Sequence, residues 1–505
     1  MKKNILEFFR RGFVACGFGP IVLAILYLIL QHEAEIETLT VNQVCLGIFS
    51  LSALAFIAGG MNVIYQIERL PLMVEACQTI EYLAIELALQ LLGIIFVPVE
   101  HNCAAEKIRA FTERAKAKAV IVCKEDTYDT EYNYTFDALA KLCDKAEPYQ
   151  VQKLPLETDI SEVLFSTGTT GKEKGIMITH GNNIALAENV IHGVEMEKDN
   201  VEMIPSPMNH SHGLRRYYAN MYNGCTVVLL GSAMDVRRFF HNLDTYGVNS
   251  MDLVPTALVV VLKLSKDKLS EYKDKLRYVQ FGAAPMMEST QEKICELLPN
   301  TRLYNFYGST ESGCICIYNF NCKNYKKHCI GKPAYNAEIV IVDDDRHPIT
   351  SSESNTGLLS SRGKMNMLGY WEDEEETKKV LIDGVVYSND VAYFDEEGDI
   401  ILLGRKGDVI NVGGNKVSPE EIENVAKKMS GIADCGVIPV KDQFKGSVPK
   451  IFVQMEKGSQ FDAVAIRTFL AKNLEPYKVP VYIVEIEQIP RSYNGKLLRK
   501  ELLDK

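Results

Sequence analysis

The chain has 505 residues, 47% hydrophobic and 24% charged, an ordinary globular balance with enough length for more than one domain and a large core. A formal net charge of −11 argues against nucleic acid as a partner. The 13 cysteines are scattered without a C-x-x-C pair, and Cys314 and Cys316 stand too close for the usual zinc spacing, which fits a reducing compartment.

In chain order, Phe13–Leu30 and Val44–Tyr65 are uncharged apolar stretches. Each is long enough to cross a hydrocarbon layer of about 30 Å. Lys2, Lys3, Arg10 and Arg11 precede the first, and the connector Gln31–Asn42 carries Glu33, Glu35 and Glu37 without Lys or Arg. The positive-inside rule then puts both ends of the hairpin, and whatever follows, in the cytosol. A cleaved leader is the competing reading of the first stretch, opposed by its long apolar run and by the second stretch soon after it. Residues 81–100, EYLAIELALQLLGIIFVPVE, predict a helix and a strand. A third span is the alternative there, disfavoured by Glu86 and by Pro98. A second helix leads to the strand-like run Ala119–Val122.

The next stretches carry chemistry. Residues 164–175, LFSTGTTGKEKG, are an apolar run ending in small and hydroxyl residues. Such a backbone can turn its N–H groups around an anion, with the hydroxyls of Ser166, Thr167, Thr169 and Thr170 and the charges of Lys172 and Lys174 in support. It is not a Walker loop, and a plain surface turn has the same composition. Pro207–Gly213 holds His210 and His212. Gly282-Ala283-Ala284-Pro285 is small enough for close backbone approach by a ring. Asn305–Glu311 contains Tyr307, Gly308, Thr310 and Glu311, and a carboxylate such as Glu311 is an oxygen ligand for Mg²⁺. Tyr387-Ser388-Asn389-Asp390 and Gly404-Arg405-Lys406-Gly407-Asp408 add a carboxylate and a guanidinium. Gly413-Gly414, Pro419–Glu423, and Pro490–Lys496 with Arg499 complete the series. Between them, β-branched runs such as Thr226–Leu230 and Glu338–Val342 alternate with helical stretches such as Lys266–Lys275 and Glu288–Leu298, predicting sheets layered with helices.

These stretches, in this order, resemble the adenylate-forming superfamily of acyl-CoA synthetases, adenylation domains and luciferases. The 164–175 loop is similar to (Y/F)-(S/T)-(S/T)-G-T-T-G-x-P-K-G, with Glu173 in place of the usual Pro. Pro207–Gly213 is similar to P-x-x-H-x-x-G, Asn305–Glu311 to N-x-Y-G-x-T-E, and Asn389-Asp390 to the end of T-G-D, with Asn for Gly. Gly404–Glu423 and Pro490–Arg499 resemble the two motifs of the family's C-terminal domain. The likeness covers about residues 78–505. Residues 1–77, with IYQIERLPLMVEA at 64–76, weakly resemble an uncharacterised bacterial multi-span membrane family.

The resemblance implies an α/β fold in three parts. A two-span membrane hairpin occupies 1–77, with spans at about 13–30 and 44–65. A large domain of layered sheets and helices occupies 78–407, lacking its usual first subdomain. A small, mobile α+β domain occupies 408–505. It further implies ATP, Mg²⁺ and CoA as reactants, with catalytic roles for Lys496, Glu311 and His210. Nucleotide binding falls to Ser166, Thr167, Gly168, Thr169, Thr170, Gly171, Lys174, Gly282, Ala283, Ala284, Tyr307, Gly308, Thr310, Asp390 and Arg405. Gly407 is the implied hinge, Gly413 and Gly414 line the thiol tunnel, and Glu311 holds Mg²⁺. The expected activity is ligation of a fatty or aryl carboxylic acid to CoA at a lipid bilayer, with the catalytic domains facing the cytoplasm. A carrier-protein thiol as acceptor, or an inactive membrane protein with a degenerate scaffold, are the alternatives.

Overall fold

The computed structural model describes residues 71–143, 153–167, 173–412, 415–442, 446–491, 497–503 and 505. They fall into two compact units. The first takes in the described residues up to Ala187 with Pro207–Gly231 and Met367–Thr377; the second takes in Glu188–Ser206, Ser232–Asn366 and Lys378–Lys505.

The first unit is built on short strands buried on both faces. Leu72–Glu75, Phe96–Val99 and Ala119–Val122 are fully buried and pair in parallel, with Leu72–Glu75 in the middle. Strands enclosed on both sides read as continuous apolar runs, as these do. Tyr132–Thr135 extends one side in parallel, and Ile160–Thr167 the other. The antiparallel strand Glu173–Thr179 and the short Gly369–Tyr370 finish the sheet. Thr79 caps the helix Ile80–Leu92, its hydroxyl accepting from the Tyr82 N–H at 3.3 Å, and Gly93 ends it at φ 68°. A helix of 13 residues rises about 20 Å, too short to span a bilayer, so residues 80–99 are a helix and a strand.

The membrane expectation is withdrawn. Among the described residues, no helix is long and apolar enough to cross a membrane. The expected spans 13–30 and 44–65 lie outside those residues. The stretch 64–76 that carried the second resemblance includes Leu72–Glu75, which is a central strand of this sheet rather than part of a membrane segment. The physical reason is local: an apolar run of this length satisfies its backbone by pairing with two neighbours as well as it would in lipid.

In the second unit, Val201–Ile204, Ser250–Leu253, Tyr278–Phe281 and Arg302–Ser309 pair in parallel in that order. Antiparallel strands follow: Gly313–Asn319, Cys329–Pro333, Ile400–Arg405, Val385–Phe394, Gly357–Gly363 and Ala337–Val342. Cys329–Pro333 is the corner. Ile317 pairs with Lys332, whereas Cys329 and Gly331 pair with Ile401 and Ile400. Gly331 turns there at φ 91°, and a Cβ would sit 2.6 Å from the Ile317 carbonyl oxygen. The chain from Ile410 onward has its own sheet, with the long hairpin Ile432–Asp442 and Gly446–Met455, and its own core around Ile410, Ile422, Val437, Ile451 and Leu470.

Glu86 and Glu162 are two of the carboxyl groups buried inside the first unit. Glu86 is fully buried, and neither of its oxygens has a hydrogen-bond partner among the described residues. Glu162 is 2% exposed and accepts the Tyr218 hydroxyl at 2.6 Å. Burial pushes Glu162 up to about 7, opposed by Tyr218 and Asn183. Burial and then the Glu162 charge hold Glu86 well above the usual carboxylate range. The folded state therefore binds these protons more tightly than the unfolded chain. Their stabilisation is complete below about pH 4 and is lost as pH rises through about 7.

We expect stability in urea to fall between about pH 5 and about pH 8, and Glu162→Gln to flatten that slope by up to about 3 kcal/mol. An unchanged slope in the variant would show that the proton is held elsewhere. At the corner, Gly331→Ala should lower stability by about 2 kcal/mol or more, read by urea titration, because strained φ and a backbone clash add.

Candidate active site

Strand register assembles the central set. Asp390 lies opposite Arg405 in the antiparallel pair Val385–Phe394 and Ile400–Arg405, with Arg405 Nε 3.5 Å from Asp390 Oδ1. Tyr307, on a strand separated from that of Asp390 by three others in sheet order, donates its hydroxyl to Asp390 Oδ2 at 2.5 Å. Burial, then the Asp390 charge, holds the Tyr307 phenol well above its ordinary value, so it remains a neutral donor. The Ser388 hydroxyl accepts from the Asp390 N–H at 3.1 Å. Asp390 is thus oriented on two sides while its carboxylate remains partly exposed, able to accept from a diol. Gly308 and Ser309 end the Tyr307 strand. Gly308 opposes Cys314 across a bulge, and a Cβ there would lie 1.8 Å from the Gly313 carbonyl oxygen. Thr310 and Glu311 sit in the turn that follows, both partly exposed.

In the same unit, Gly282, Ala283 and Ala284 follow the strand Tyr278–Phe281. Gly282 is buried, while Ala283 is exposed and adopts φ 66°. A left-handed L-residue carries strain of roughly 1 kcal/mol, a feature concentrated where backbone is shaped for a ligand.

The first unit holds a second group of expected residues. Ser166 opposes Lys174 and Thr167 opposes Glu173, so the strands on either side of the phosphate-loop candidate pair antiparallel. Gly168, Thr169, Thr170 and Gly171 lie outside the described residues. Lys174 Nζ sits 2.6 Å from Glu376 Oε2 and 4.8 Å from the centroid of the Tyr370 ring. His210 precedes the helix Ser211–Asn223 as its N-cap without a side-chain cap bond. Its outer edge is exposed, yet crowding by protein pushes the imidazole below its ordinary value; Glu100 opposes this, and His212 and Lys107 reinforce it. A neutral imidazole at a helix N-terminus leaves the positive end of the dipole open to an anion.

Lys496, Gly413 and Gly414 also lie outside the described residues. The flanks of the Lys496 segment are firmly held. Arg491 grips Asp434 with two bonds of 2.6 and 2.8 Å, and Leu497 pairs with Arg491. Arg499 forms an ion pair with Glu423, whose carboxylate also accepts the Val437 N–H at 2.8 Å. Gly407 lies in the turn after Arg405, where a Cβ would meet nothing within 4 Å.

A family model described as AMP-binding enzyme matches residues 72–371, and one described as its C-terminal domain matches 421–496. The chain belongs to the AMP-binding enzyme family. Among curated proteins it is 30% identical over 350 residues to 4-coumarate--CoA ligase-like 2 of Arabidopsis thaliana, covering 68% of this chain and 61% of the relative. It is likewise 30% identical over 354 residues to 4-coumarate--CoA ligase-like 4 of rice, Oryza sativa subsp. japonica, covering 69% and 63%. The chain therefore spans less than two thirds of these relatives' length. Among solved structures, ATP-bound MatB from Rhodopseudomonas palustris superimposes with a TM-score of 0.79 at 21% identity, over 90% of this chain and 92% of that one.

The structure divides the site residues of this AMP-binding enzyme between its units. Tyr307, Gly308, Thr310, Glu311, Gly282, Ala283, Ala284, Asp390, Arg405 and Gly407 belong to one; Ser166, Lys174 and His210 belong to the other. Within the second unit, Tyr307, Asp390 and Arg405 meet directly. The sequence reading missed Glu376, the carboxylate facing Lys174, because nothing in a run of three glutamates marks which one turns toward a partner. It also missed Ser312, whose hydroxyl accepts from the Ser309 N–H at 3.1 Å and closes the turn carrying Thr310 and Glu311. A Ser three residues after a Ser is a recognisable turn signal.

Strain at Ala283 gives a direct test. Ala283→Gly should change stability by less than about 1 kcal/mol, whereas Ala283→Val should lose roughly 1–2 kcal/mol, since a β-branched residue tolerates positive φ worst. Thermal unfolding of the two variants compares them.

Proposed function

We propose that this chain is an AMP-forming acid–thiol ligase that joins a carboxylic acid to CoA. One observation carries the reading: Tyr307, Asp390 and Arg405, from three separate motifs, converge into one partly exposed hydrogen-bonding set suited to ribose hydroxyls. The relatives named as 4-coumarate–CoA ligase-like proteins support CoA as acceptor and an aryl acid as substrate.

The chemistry follows from charge. A carboxylate is a poor electrophile. One of its oxygens attacks the α-phosphorus of ATP, and the bond to the bridging oxygen breaks to release pyrophosphate. The thiol sulfur then attacks the acyl carbonyl, the carbonyl–phosphate bond breaks, and AMP leaves. Both steps gather negative charge on phosphoryl oxygens, which favours cations and N–H donors fixed in advance. Asp390, oriented by Tyr307 and Ser388, accepts from the ribose diol, and Arg405 sits against the same carboxylate. The Gly282–Ala284 backbone admits the adenine edge. The loop between Thr167 and Glu173, with Ser166 and Lys174, attends the leaving pyrophosphate. Neutral His210 stands near the acyl carboxylate without adding charge. Glu311 is a hard carboxylate at a partly exposed turn beside the Thr310 hydroxyl, a donor set that fits Mg²⁺, and the ion would supply neutralising charge to the phosphates. Lys496 bridges carboxylate and α-phosphate in the first step alone. Gly407 permits the rearrangement that withdraws it, and Gly413 and Gly414 line the approach of the thiol.

The test separates the two half-reactions. Acid-dependent ATP/pyrophosphate exchange is measured over a panel of aryl and fatty acids, then thioester formation with CoA and with a carrier protein. We expect exchange with at least one acid and transfer to CoA. Lys496→Ala should abolish exchange yet still convert supplied acyl-adenylate to thioester. Equal loss of both steps would overturn the assignment of Lys496. Transfer only to a carrier protein would replace CoA as acceptor, and no exchange with any acid would overturn the ligase itself.

A further inference from the structure

A group of metal-binding side chains lies outside the set just described, in the first unit. Three adjacent parallel strands end together, with Leu72–Glu75 between Phe96–Val99 and Ala119–Val122. Glu75 closes the middle strand. His101 follows one neighbour by two residues, and Cys123 follows the other directly. Potential ligand atoms of these three residues all lie within 4.8 Å of one another. His101 Nδ1 is 2.9 Å from Glu75 Oε1, and Cys123 Sγ is 3.8 Å from His101 Nδ1.

A thiol, an imidazole and a carboxylate are three donors of a zinc-type site that leaves its fourth tetrahedral position to water. Ligand bonds of about 2.0–2.3 Å place donor atoms on one tetrahedral ion about 3.3–3.8 Å apart, so the Cys123–His101 separation needs no adjustment and the His101–Glu75 contact needs to open by about half an ångström. Glu75 is buried, and its carboxylate is already oriented by the N–H groups of Asn102 at 2.9 Å and Cys123 at 2.8 Å. Those bonds are the kind of outer support that fixes a ligand's direction. His101 and Cys123 are exposed, which gives an ion a path in. The spacing along the chain, 75, 101 and 123, matches no sequence signature, because strand pairing rather than a knuckle or helix brings the residues together.

We propose that Glu75, His101 and Cys123 bind one thiophilic divalent cation of the Zn²⁺ class, tying together the ends of three parallel strands. On binding, the Cys123 thiol gives its proton to solvent as its sulfur–metal bond forms, so affinity weakens as pH falls.

The experiment titrates the reduced, full-length chain with Co²⁺ and then Zn²⁺. We expect one equivalent of Co²⁺ to give a thiolate-to-cobalt absorption band that Zn²⁺ abolishes. His101→Ala and Cys123→Ser should each weaken binding at least about tenfold. If either variant fails to fold, alkylation of the wild-type chain read by peptide mass spectrometry decides: Zn²⁺ should protect Cys123 while exposed Cys322 stays reactive. Absence of the cobalt band, its persistence at full strength in both variants, or equal alkylation with and without Zn²⁺ would each overturn the site.

Discussion

Strand register is the constraint on which this molecule's chemistry rests. Asp390 meets Arg405 because those two residues are cross-strand partners, and it meets Tyr307 because the sheet turns a corner at Cys329–Pro333. A slip of one residue would move Asp390 to the opposite face and dissolve the set. Gly331 is what allows the corner, since no other residue fits both its φ and the close Ile317 carbonyl. The same logic operates in the first unit. Parallel pairing of three short strands delivers Glu75, His101 and Cys123 to one edge, although they are far apart in the chain.

Buried carboxyl groups are handled in two ways. In the first unit, Glu86 and Glu162 are enclosed with tyrosines, and burial favours their neutral forms. In the C-terminal part, Glu423 is buried beside the Arg499 guanidinium and also accepts a backbone N–H, so it is paired. Removing one partner of such a pair leaves an uncompensated charge, which is far more damaging than the pair's own net worth. That pairing gives a structural meaning to two motif residues for which the sequence offered none. Glu423 and Arg499 stand 76 residues apart in the chain and pair within its C-terminal part.

Much of the candidate site was legible. Tyr307, Asp390 and Arg405 were each named from short motifs, as were Gly282–Ala284, Ser166, Lys174 and His210. Residues 80–99 resolve into a helix and a strand, as Glu86 and Pro98 suggested. Other readings failed for identifiable reasons. Lys266–Lys275 has the composition of a helix but forms only the short 3₁₀ turn Lys268–Tyr272, since buried Leu269 and Tyr272 set its geometry. The strand Leu72–Glu75 was assigned to a membrane region, because apolarity alone does not distinguish a doubly buried strand from part of a span.

Local residue type and order, by themselves, determined the layered α/β class, the family likeness and the candidate residues for a nucleotide site. Glycines, hydroxyls and single charges at fixed spacings are chemical requirements that survive without coordinates. Only the tertiary structure decided which charges are partnered. Lys174 with Glu376, Glu423 with Arg499, and the Glu75–His101–Cys123 group all join residues remote in the chain. The reason is physical: hydrogen bonds and ion pairs act over about 3 Å, and a distance that short between distant residues is set by strand pairing and packing, which a local pattern does not encode.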